Sequence, residues 1–470
     1  MDDGFSVFDK IKNTPAYWKT AKYEMLAKLE NQGPFQFFFT LSCEDLLWSE
    51  NFSSILADKD VSICYQFAND GDEETHVKVS EEKLLSLKEY LESYVSESQH
   101  ELIRTNVLNA SRNYNHGVKA FIKSIVMDKS SPMSVQYYST KVEFQGRGAA
   151  HNHGVLWVNF DRVEYAFKNQ NGQLCFMEDI LSSLAEHIVS IADVEKLLKG
   201  LTECKTEKKN FQAENFLIDE PLRNLLVNQL NYPADTDLTQ SDILSKFPFY
   251  GISSAFKKFQ NLERLDEHEE MAVINFANKF TTCTVSPAMI KQMTDHSVLK
   301  EKSEKVLDIV KAVNIHNHSR TCRKYDTSCR FGFGKYPIWE TLIAKPANLY
   351  SKVSLNKFTA LLKDVRKVLD DEEAIQSIFN SYDKESESLS EYEIIRKERI
   401  IKALKKAGLN TPDEYDLYKS ALQVSKSGYT VVLKRDIDEM FVNSYNPEWA
   451  RAWNGNHDLQ ICLDYFAIIT

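Results

Sequence analysis

The chain has 470 residues, of which 43% are hydrophobic, and carries a formal net charge of −11 at pH 7. This length predicts two to four units with packed cores rather than one ordinary domain. The acidic balance argues against a protein that coats nucleic acid generally, although it allows a local basic track. No apolar run approaches the roughly 18 residues of a membrane span, and the N-terminal residues lack a signal-peptide pattern. Eight scattered cysteines in such a chain predict reduced thiols and favour a metal site over disulfides.

The first predicted elements are a helix and an aromatic strand. Residues 14–32 predict the helix, with Thr14 as its N-terminal cap and Pro15 in its first turn. Gly33 and Pro34 end it. Residues 35–42, FQFFFTLS, predict a strand that we assign to the core rather than to DNA contact.

The middle of the chain alternates between helical patterns and one hairpin. Residues 81–127 predict mostly helix with a polar break at 112–115, and a hairpin over 135–160 follows. Residues 177–200 predict another amphipathic helix. From 201 to 270 the pattern weakens, and we interpret this part as an inserted helical region or, alternatively, a surface spacer.

The last third combines a Cys/His-bearing unit with charged helices and short strands. The Cys/His residues fall within 271–345, and residues 354–425 predict helices with a solvated charged face. Residues 428–434 predict a strand, and so does the C-terminal segment.

The hairpin carries the first candidate site. Side chains at alternate positions of a strand share a face, so His151 and His153 are predicted to present two imidazoles side by side. The hairpin brings Glu143 across toward them, and Gln145 shares the face of Glu143 and is its rival as a third ligand. Two histidines and a carboxylate suit Mg²⁺ or Mn²⁺ that orients a phosphate oxygen. The alternative is a structural histidine pair.

A second candidate site is a thiolate and imidazole set typical of zinc. His316, His318, Cys322 and Cys329 supply suitable ligands, and Cys283 could complete the set if the fold returns it there. Four protein ligands leave no open position, so this Zn²⁺ would be structural. The alternative is two buried thiols with surface histidines in a basic loop.

Cationic residues near both sites are candidates for phosphate contacts with DNA. The proposed DNA-binding residues are Arg147, Arg320, Arg323, Lys324, Arg330 and Lys335. Single-stranded DNA also needs exposed aromatic side chains that stack on bases.

Five stretches occur in an order that resembles the Rep-type (HUH) endonuclease region of Helitron transposases, eukaryotic rolling-circle elements whose long proteins also carry a helicase. Two of them depart from the family pattern, because Asn152 replaces an apolar residue between the histidines and Gly334 replaces a proline after the cysteine motif. The similar stretches are Thr14–Trp18, Phe38–Trp48, Glu143–Trp157, His318–Phe333 and Asn443–Asp464.

The resemblance implies a mechanism in which a tyrosine attacks a DNA phosphodiester and stays attached to the 5′ phosphate. His151 and His153 would bind the divalent metal that polarises the phosphate, with Glu143 as the third ligand. The family's two catalytic tyrosines are expected after Thr470, and Tyr465 is the nearest candidate within the sequence. No phosphate-binding loop of a helicase is present, so a helicase domain is expected elsewhere in a full-length protein. We therefore expect binding of metal and of single-stranded DNA or transposon ends, nuclear localisation, and weak or no nicking.

Two other functions stay open at this point. The first is a non-catalytic, transposon-derived DNA-binding protein that uses the zinc-like unit and the Rep surface. The second is an unrelated metal hydrolase with a water nucleophile, although the chain lacks an HExxH or paired-carboxylate pattern in its support.

The predicted fold is α+β, an antiparallel sheet with flanking helices that is HUH/Rep-like by resemblance. The hairpin is expected at its centre, and the final segment is expected to return beside it. The first three predicted units are a helical lead-in (1–34), the endonuclease core (35–200) and a helical insertion or spacer (201–270). The last three are the Cys/His zinc-like unit (271–345), a helical region (346–425) and the returning strand segment (426–470).

Overall fold

The structure is a computed structural model, and it contains helices together with antiparallel sheet. It describes residues 14–43, 66–67, 77–78, 106–144, 149–169, 174–183, 190–206, 245–293, 303–318, 322, 329, 331–380, 389–426 and 428–464.

Eleven strands lie in these described ranges, most of them short. They are β1 Phe37–Ser42, β2 Gln66–Phe67, β3 Val77–Lys78, β4 Val135–Phe144, β5 Ala150–Val158, β6 Ala166–Lys168, β7 Leu174–Phe176, β8 Leu342–Pro346, β9 Val424–Ser425, β10 Thr430–Val432 and β11 His457–Ile461.

The helices of the same ranges include two π-helical extensions, at Ile122–Val126 and Val310–Asn314, and a 3₁₀ turn at Ala347–Leu349. The α-helices are α1 Pro15–Gln32, α2 Val107–Phe121, α3 Phe160–Val163, α4 Met177–Ser183, α5 Ile191–Thr206, α6 Ile252–Gln260, α7 Glu267–Phe280, α8 Pro287–Met293, α9 Ser303–Ile309, α10 Lys352–Leu369, α11 Glu372–Phe379, α12 Leu389–Lys406, α13 Pro412–Leu422 and α14 Pro447–Trp453. Among them, no helix has the length and apolar character needed to cross a membrane.

The main sheet has four antiparallel strands in the order β11-β1-β5-β4. The predicted hairpin is confirmed, because β4 pairs with β5 and Glu143 lies opposite His151. The expectation that the hairpin is central and the final segment lies beside it is wrong in detail. The final strand pairs with the aromatic strand β1, and β4 is an edge of the sheet in the part of the chain described. Much of β4 is exposed, which suits an edge position.

One face of this sheet is buried in an aromatic core. Phe37 and Phe39 are fully buried, as predicted for the aromatic strand. Phe37 contacts Phe276 of α7, and Phe39 meets Trp449 of α14 edge to face with ring centroids 5.6 Å apart. Gly154 of β5 lets the Phe39 ring approach, since a Cβ there would lie 2.2 Å from a ring carbon.

The other face is partly covered by α1. Thr14 caps this helix by accepting a hydrogen bond from the Tyr17 amide, and Gly33 ends it with φ of 72°, as the sequence predicts. Trp157 of β5 donates its indole N–H to the Gly33 carbonyl at 2.8 Å. Met25 packs against the sheet beside this tryptophan. The helix therefore lies over one end of the sheet face.

The predicted break at 112–115 is wrong, because α2 runs through it without interruption. Tyr114 is buried there and donates its hydroxyl to the Leu41 carbonyl at 2.8 Å. Its ring also packs edge to face against Trp453. This tertiary packing overrides the weak helix propensity of the polar stretch.

Helices α6 and α7 pack on the main sheet through Phe256 and Phe276 of the same core. The predicted 177–200 helix corresponds to α4 and α5. Helices α10 to α13 confirm the helix-rich region and share a second core with Ile338 and Met440. The division into six units stays a prediction.

Candidate functional site

The candidate site lies on the sheet face that α1 covers only in part. Residues paired across antiparallel strands point to the same side, so the registers define which side chains share this face. Ser42 lies opposite His151, and Thr40 lies opposite His153. The polar side chains of this His face are Lys141, Glu143, His151, His153, Thr40, Ser42, Asp458 and Gln460.

The two imidazoles lie side by side, as predicted. The ring centroids of His151 and His153 are 4.6 Å apart, and the rings are nearly perpendicular. Asn152 between them points the opposite way and is buried in the core. The asparagine in place of an apolar residue therefore does not disturb the His face.

Ser42 fixes the orientation of His151. Its Oγ lies 2.9 Å from Nδ1 of the imidazole. In the tautomer that carries its proton on Nδ1, the imidazole donates to Oγ, and Nε2 carries the lone pair that a metal ion needs. Sequence reasoning gave Ser42 no role, because a period of two predicts the face of each strand but not which strands pair.

Glu143 lies beside the second imidazole. Its Oε2 is 3.4 Å from Nε2 of His153, and both side chains are partly exposed. A nitrogen and an oxygen at this separation can share one cation at ordinary bond lengths, or can form an ion pair when the imidazole is protonated. The three side chains do not bring three ligand atoms within 4.8 Å of one another in this structure. Water or a phosphate oxygen would supply the remaining ligands of a cation held there. Gln145, the rival ligand, lies outside the described residues.

The carboxylate of Asp458 on β11 is on the same face but is already satisfied. Ser444 donates its hydroxyl to Oδ1 at 2.6 Å, and Gln460 donates its amide to Oδ2. Burial raises the pKa of Asp458. This carboxylate therefore stabilises the loop before β11 rather than binding a cation.

The Cys/His unit contains a compact group of four ligand atoms. His316, His318, Cys322 and Cys329 place one ligand atom each within 4.8 Å of one another, and this group could hold a metal ion. The Cys329 Sγ lies 3.4 Å from Nε2 of His316, and the Cys322 Sγ lies 3.5 Å from Nδ1 of His318. Tetrahedral zinc with Zn–S of about 2.3 Å and Zn–N of about 2.05 Å would separate sulfur from nitrogen by about 3.6 Å. The group therefore has nearly the spacing of a zinc site without rearrangement.

Aromatic rings hold the two histidines of this group. The His316 ring stacks on Phe333 at 4.1 Å between centroids and 8° between planes, and His318 meets Phe441 edge to face. Burial lowers the pKa of His316, which favours the neutral imidazole that a metal requires. Gly334 has φ of 83°, which proline cannot adopt, so the loop here departs from the family pattern for a backbone reason.

Cys283 is not among the four residues of this group. Its thiol donates to the Lys434 carbonyl at 3.2 Å and is fully buried with Ile290 and Tyr445. Burial raises its pKa, which keeps the thiol protonated. The chain around Cys283 is fixed by the bridge between Thr282 and Tyr445, away from the four ligands.

Of the predicted DNA-binding residues, Lys335 lies within the described ranges. Lys335 is partly buried, and its Nζ lies over the ring of Phe333 at 5.6 Å from the centroid. Burial, together with the charge of Arg435, lowers the pKa of Lys335. The residues that lie outside the described ranges are Arg147, Arg320, Arg323, Lys324, Arg330 and Tyr465.

One comparison with known proteins found a family. Residues 5–156 match the family model for the Helitron helicase-like domain at the N-terminus, which bears out the resemblance seen in the motifs. The match includes Glu143, His151 and His153 and ends within β5, so the Cys/His unit and the helices after it lie beyond it. The comparisons with curated proteins and with solved structures found no match.

Proposed function

Residues 5–156 carry a Helitron helicase-like N-terminal domain, and we propose that its His face is the metal site of a Rep-type (HUH) endonuclease acting on single-stranded DNA. The observation that carries this proposal is the placement of two adjacent imidazoles beside a carboxylate on one exposed sheet face. On this proposal, the chain is a Helitron transposase-related protein whose role would be to cut and rejoin strands at transposon ends.

The residues of the His face have separate tasks in this proposal. His151 and His153 offer imidazole nitrogens to one Mg²⁺ or Mn²⁺, and Glu143 adds the carboxylate next to His153. Ser42 holds the His151 ring in the tautomer that can bind. A cation bound there supplies Lewis-acid polarisation of a phosphate oxygen.

The nucleophile in this proposal is a tyrosine, as the family resemblance implies. Its hydroxyl would lose its proton as the oxygen forms a bond to phosphorus. The bond from phosphorus to the 3′ oxygen would break, and the freed 3′ oxygen would take up a proton. The strand β11 pairs with β1, so the last strand of the described residues belongs to the sheet that carries the histidines. This topology suits a tyrosine that follows this strand in the chain.

We propose that the second group holds structural Zn²⁺. Four side-chain ligands within 4.8 Å leave no open coordination position for catalysis. The same group supports the alternative function, a non-catalytic DNA-binding protein of transposon origin that keeps the zinc unit and the Rep surface.

Calorimetric titration of Mn²⁺ tests the proposal. The protein would be treated with a mild chelator that leaves tight zinc in place, and the wild type would be compared with His151→Ala/His153→Ala. The exposed helical residue His116 supplies the matched control His116→Ala. We expect one binding event in the wild type and the control that is lost in the double variant.

Binding that survives in the double variant would show that Mn²⁺ binds at another place in the chain. Absence of binding in all three proteins, with zinc retained, would favour the non-catalytic DNA-binding alternative.

A further inference from the structure

A large cavity lies beside the main sheet, between β11, the loop that follows Cys329, helix α10 and strands β9 and β10. Its volume is about 1090 Å³. Sites for small molecules typically range from about 300 to 1,000 Å³, so this cavity lies at the upper end of that range. Gln460 on the His face also lines it, so the cavity adjoins the sheet that carries the histidines.

Cationic side chains outnumber acidic ones among the described residues that line the cavity. Lys335, Arg366, Lys426 and Arg435 face a single carboxylate, that of Asp370, and this carboxylate is 3.7 Å from the Arg366 guanidinium. The chain as a whole carries a net charge of −11, so the positive lining is a local feature. Such a concave positive surface attracts an anionic ligand.

Two of these cations form no close ion pair, although the Asp458 carboxylate attracts the Lys335 ammonium from a longer distance. Within the described part of the chain, no carboxylate oxygen lies within 4.0 Å of a side-chain nitrogen of Lys335 or Arg435. Arg435 donates instead to the backbone carbonyls of Glu439 and Val442. A partly buried ammonium without an ion pair is costly unless an anion binds it.

Aromatic rings alternate with these cations. Phe333, Tyr336 and Phe441 line the cavity. The His316 ring stacks on Phe333, Nζ of Lys335 lies over the Phe333 ring at 5.6 Å from its centroid, and the Arg366 guanidinium lies over Tyr336 at 4.2 Å. Cations interleaved with aromatic rings are the combination that binds single strands, because phosphates meet the charges and bases stack on the rings.

We propose that this cavity binds a segment of single-stranded DNA, with Lys335 at a phosphate and the aromatic lining against the bases. The proposal rests on the proposed function and deepens it, since it gives the strand a path along β11 toward the His face. The Cys/His group forms part of the wall through His318 and Cys329, so zinc would shape the strand site without touching the reaction.

Fluorescence anisotropy with a labelled oligothymidylate of about twelve nucleotides tests this, since single-strand sites cover roughly 4–16 nucleotides. The variants are Lys335→Gln, the charge-preserving Lys335→Arg, and the control Lys367→Gln. Lys367 is exposed on α10 and pairs only with Asp364 of the same helix. Circular dichroism and zinc content would establish that each variant is folded.

Loss of one phosphate contact reduces the slope of log K against log salt by about 0.7 for single strands, which corresponds to about fivefold weaker binding near 0.1 M salt. We expect this loss in Lys335→Gln, recovery in Lys335→Arg, and wild-type affinity in the control. Equal affinity and equal salt slope in wild type and Lys335→Gln would overturn the proposal, and so would a wild type that does not bind the oligonucleotide.

Two further experiments are needed. The first distinguishes a DNA strand from a free phosphate ligand in the cavity, and the second separates the cavity proposal from the metal-site proposal. Displacement of the oligonucleotide by millimolar thymidine monophosphate or inorganic phosphate would mean that the cavity holds a free phosphate ligand, and would also overturn the proposal. Mn²⁺ titration of Lys335→Gln is expected to match the wild type. A failure of the cavity proposal therefore leaves the metal result intact, whereas a failure of the metal site appears in the wild-type titration itself.

Discussion

Replacing Gly154 with alanine is expected to disturb the sheet where the His face and the core meet. A Cβ at this position would lie 2.2, 2.3 and 3.0 Å from three carbons of the Phe39 ring. The ring is fully buried and is held edge to face by Trp449, so it cannot swing into solvent. The new methyl group therefore forces the ring or the backbone of β1 to move.

Overpacking of this kind costs about 1–3 kcal/mol, and the smaller entropic gain of replacing glycine with alanine, at most about 1 kcal/mol, does not offset it. We expect a net loss of roughly 2 kcal/mol, which lowers the melting temperature by roughly 4–8 °C for a cooperative unit of about 150–250 residues. Because Gly154 follows His153, we also expect weaker Mn²⁺ binding from the displaced imidazole.

Differential scanning calorimetry would compare Gly154→Ala with the control Gly117→Ala. Gly117 lies in the interior of α2, where a Cβ meets only Trp453, at 3.9 Å. Alanine there should stabilise the helix by about 1 kcal/mol. The double variant Gly154→Ala/Phe39→Leu should lose less stability than the sum of its single variants, since the smaller side chain makes room. A Gly154→Ala protein as stable as the wild type would refute the reasoning.

Three other predictions concern the two metal groups and a buried histidine. Ser42→Ala should weaken Mn²⁺ binding about tenfold in calorimetric titration, because outer-shell partners of metal-bound histidines typically contribute about 10–100-fold, and unchanged affinity would remove its proposed role. Cys322→Ser should release zinc in a colorimetric chelator assay while Cys283→Ser retains it, and equal zinc loss in both would contradict the four-ligand group. Burial lowers the pKa of His457 from 6.5 to about 4 in the folded protein. As pH falls from 6.5 toward 4, the unfolded chain therefore binds a proton at this histidine before the folded protein does, and stability is lost. In urea titrations over that pH range, wild type should lose up to about 3 kcal/mol more unfolding free energy than His457→Gln. The same dependence of unfolding free energy on pH in both proteins would contradict this.

The hairpin was predictable because its signals are local. Alternation in β5 places His151 and His153 on one face, and the short glycine-containing connection brings Glu143 back to them. The zinc group was predictable in part, because four of its residues lie close together in the sequence. The position of the Cys283 thiol was not predictable in this way, since it depends on the long-range bridge between Thr282 and Tyr445.

The rest of the site depends on pairings between distant segments. Ser42 reaches His151 only because β1 pairs with β5, more than a hundred residues later in the chain. The final strand pairs with β1, so the cavity beside β11 is formed by segments that share no local pattern. Helix α2 crosses its polar stretch because Tyr114 is buried, which propensity alone does not show.

Anomalous X-ray scattering from crystals soaked in Mn²⁺ would test the metal-binding His face most directly. We predict an anomalous peak within roughly 2–2.5 Å of Nε2 of His151 and of a ring nitrogen of His153, with Glu143 as a further ligand. A peak at the Cys/His group alone, with none at the His face, would contradict the account.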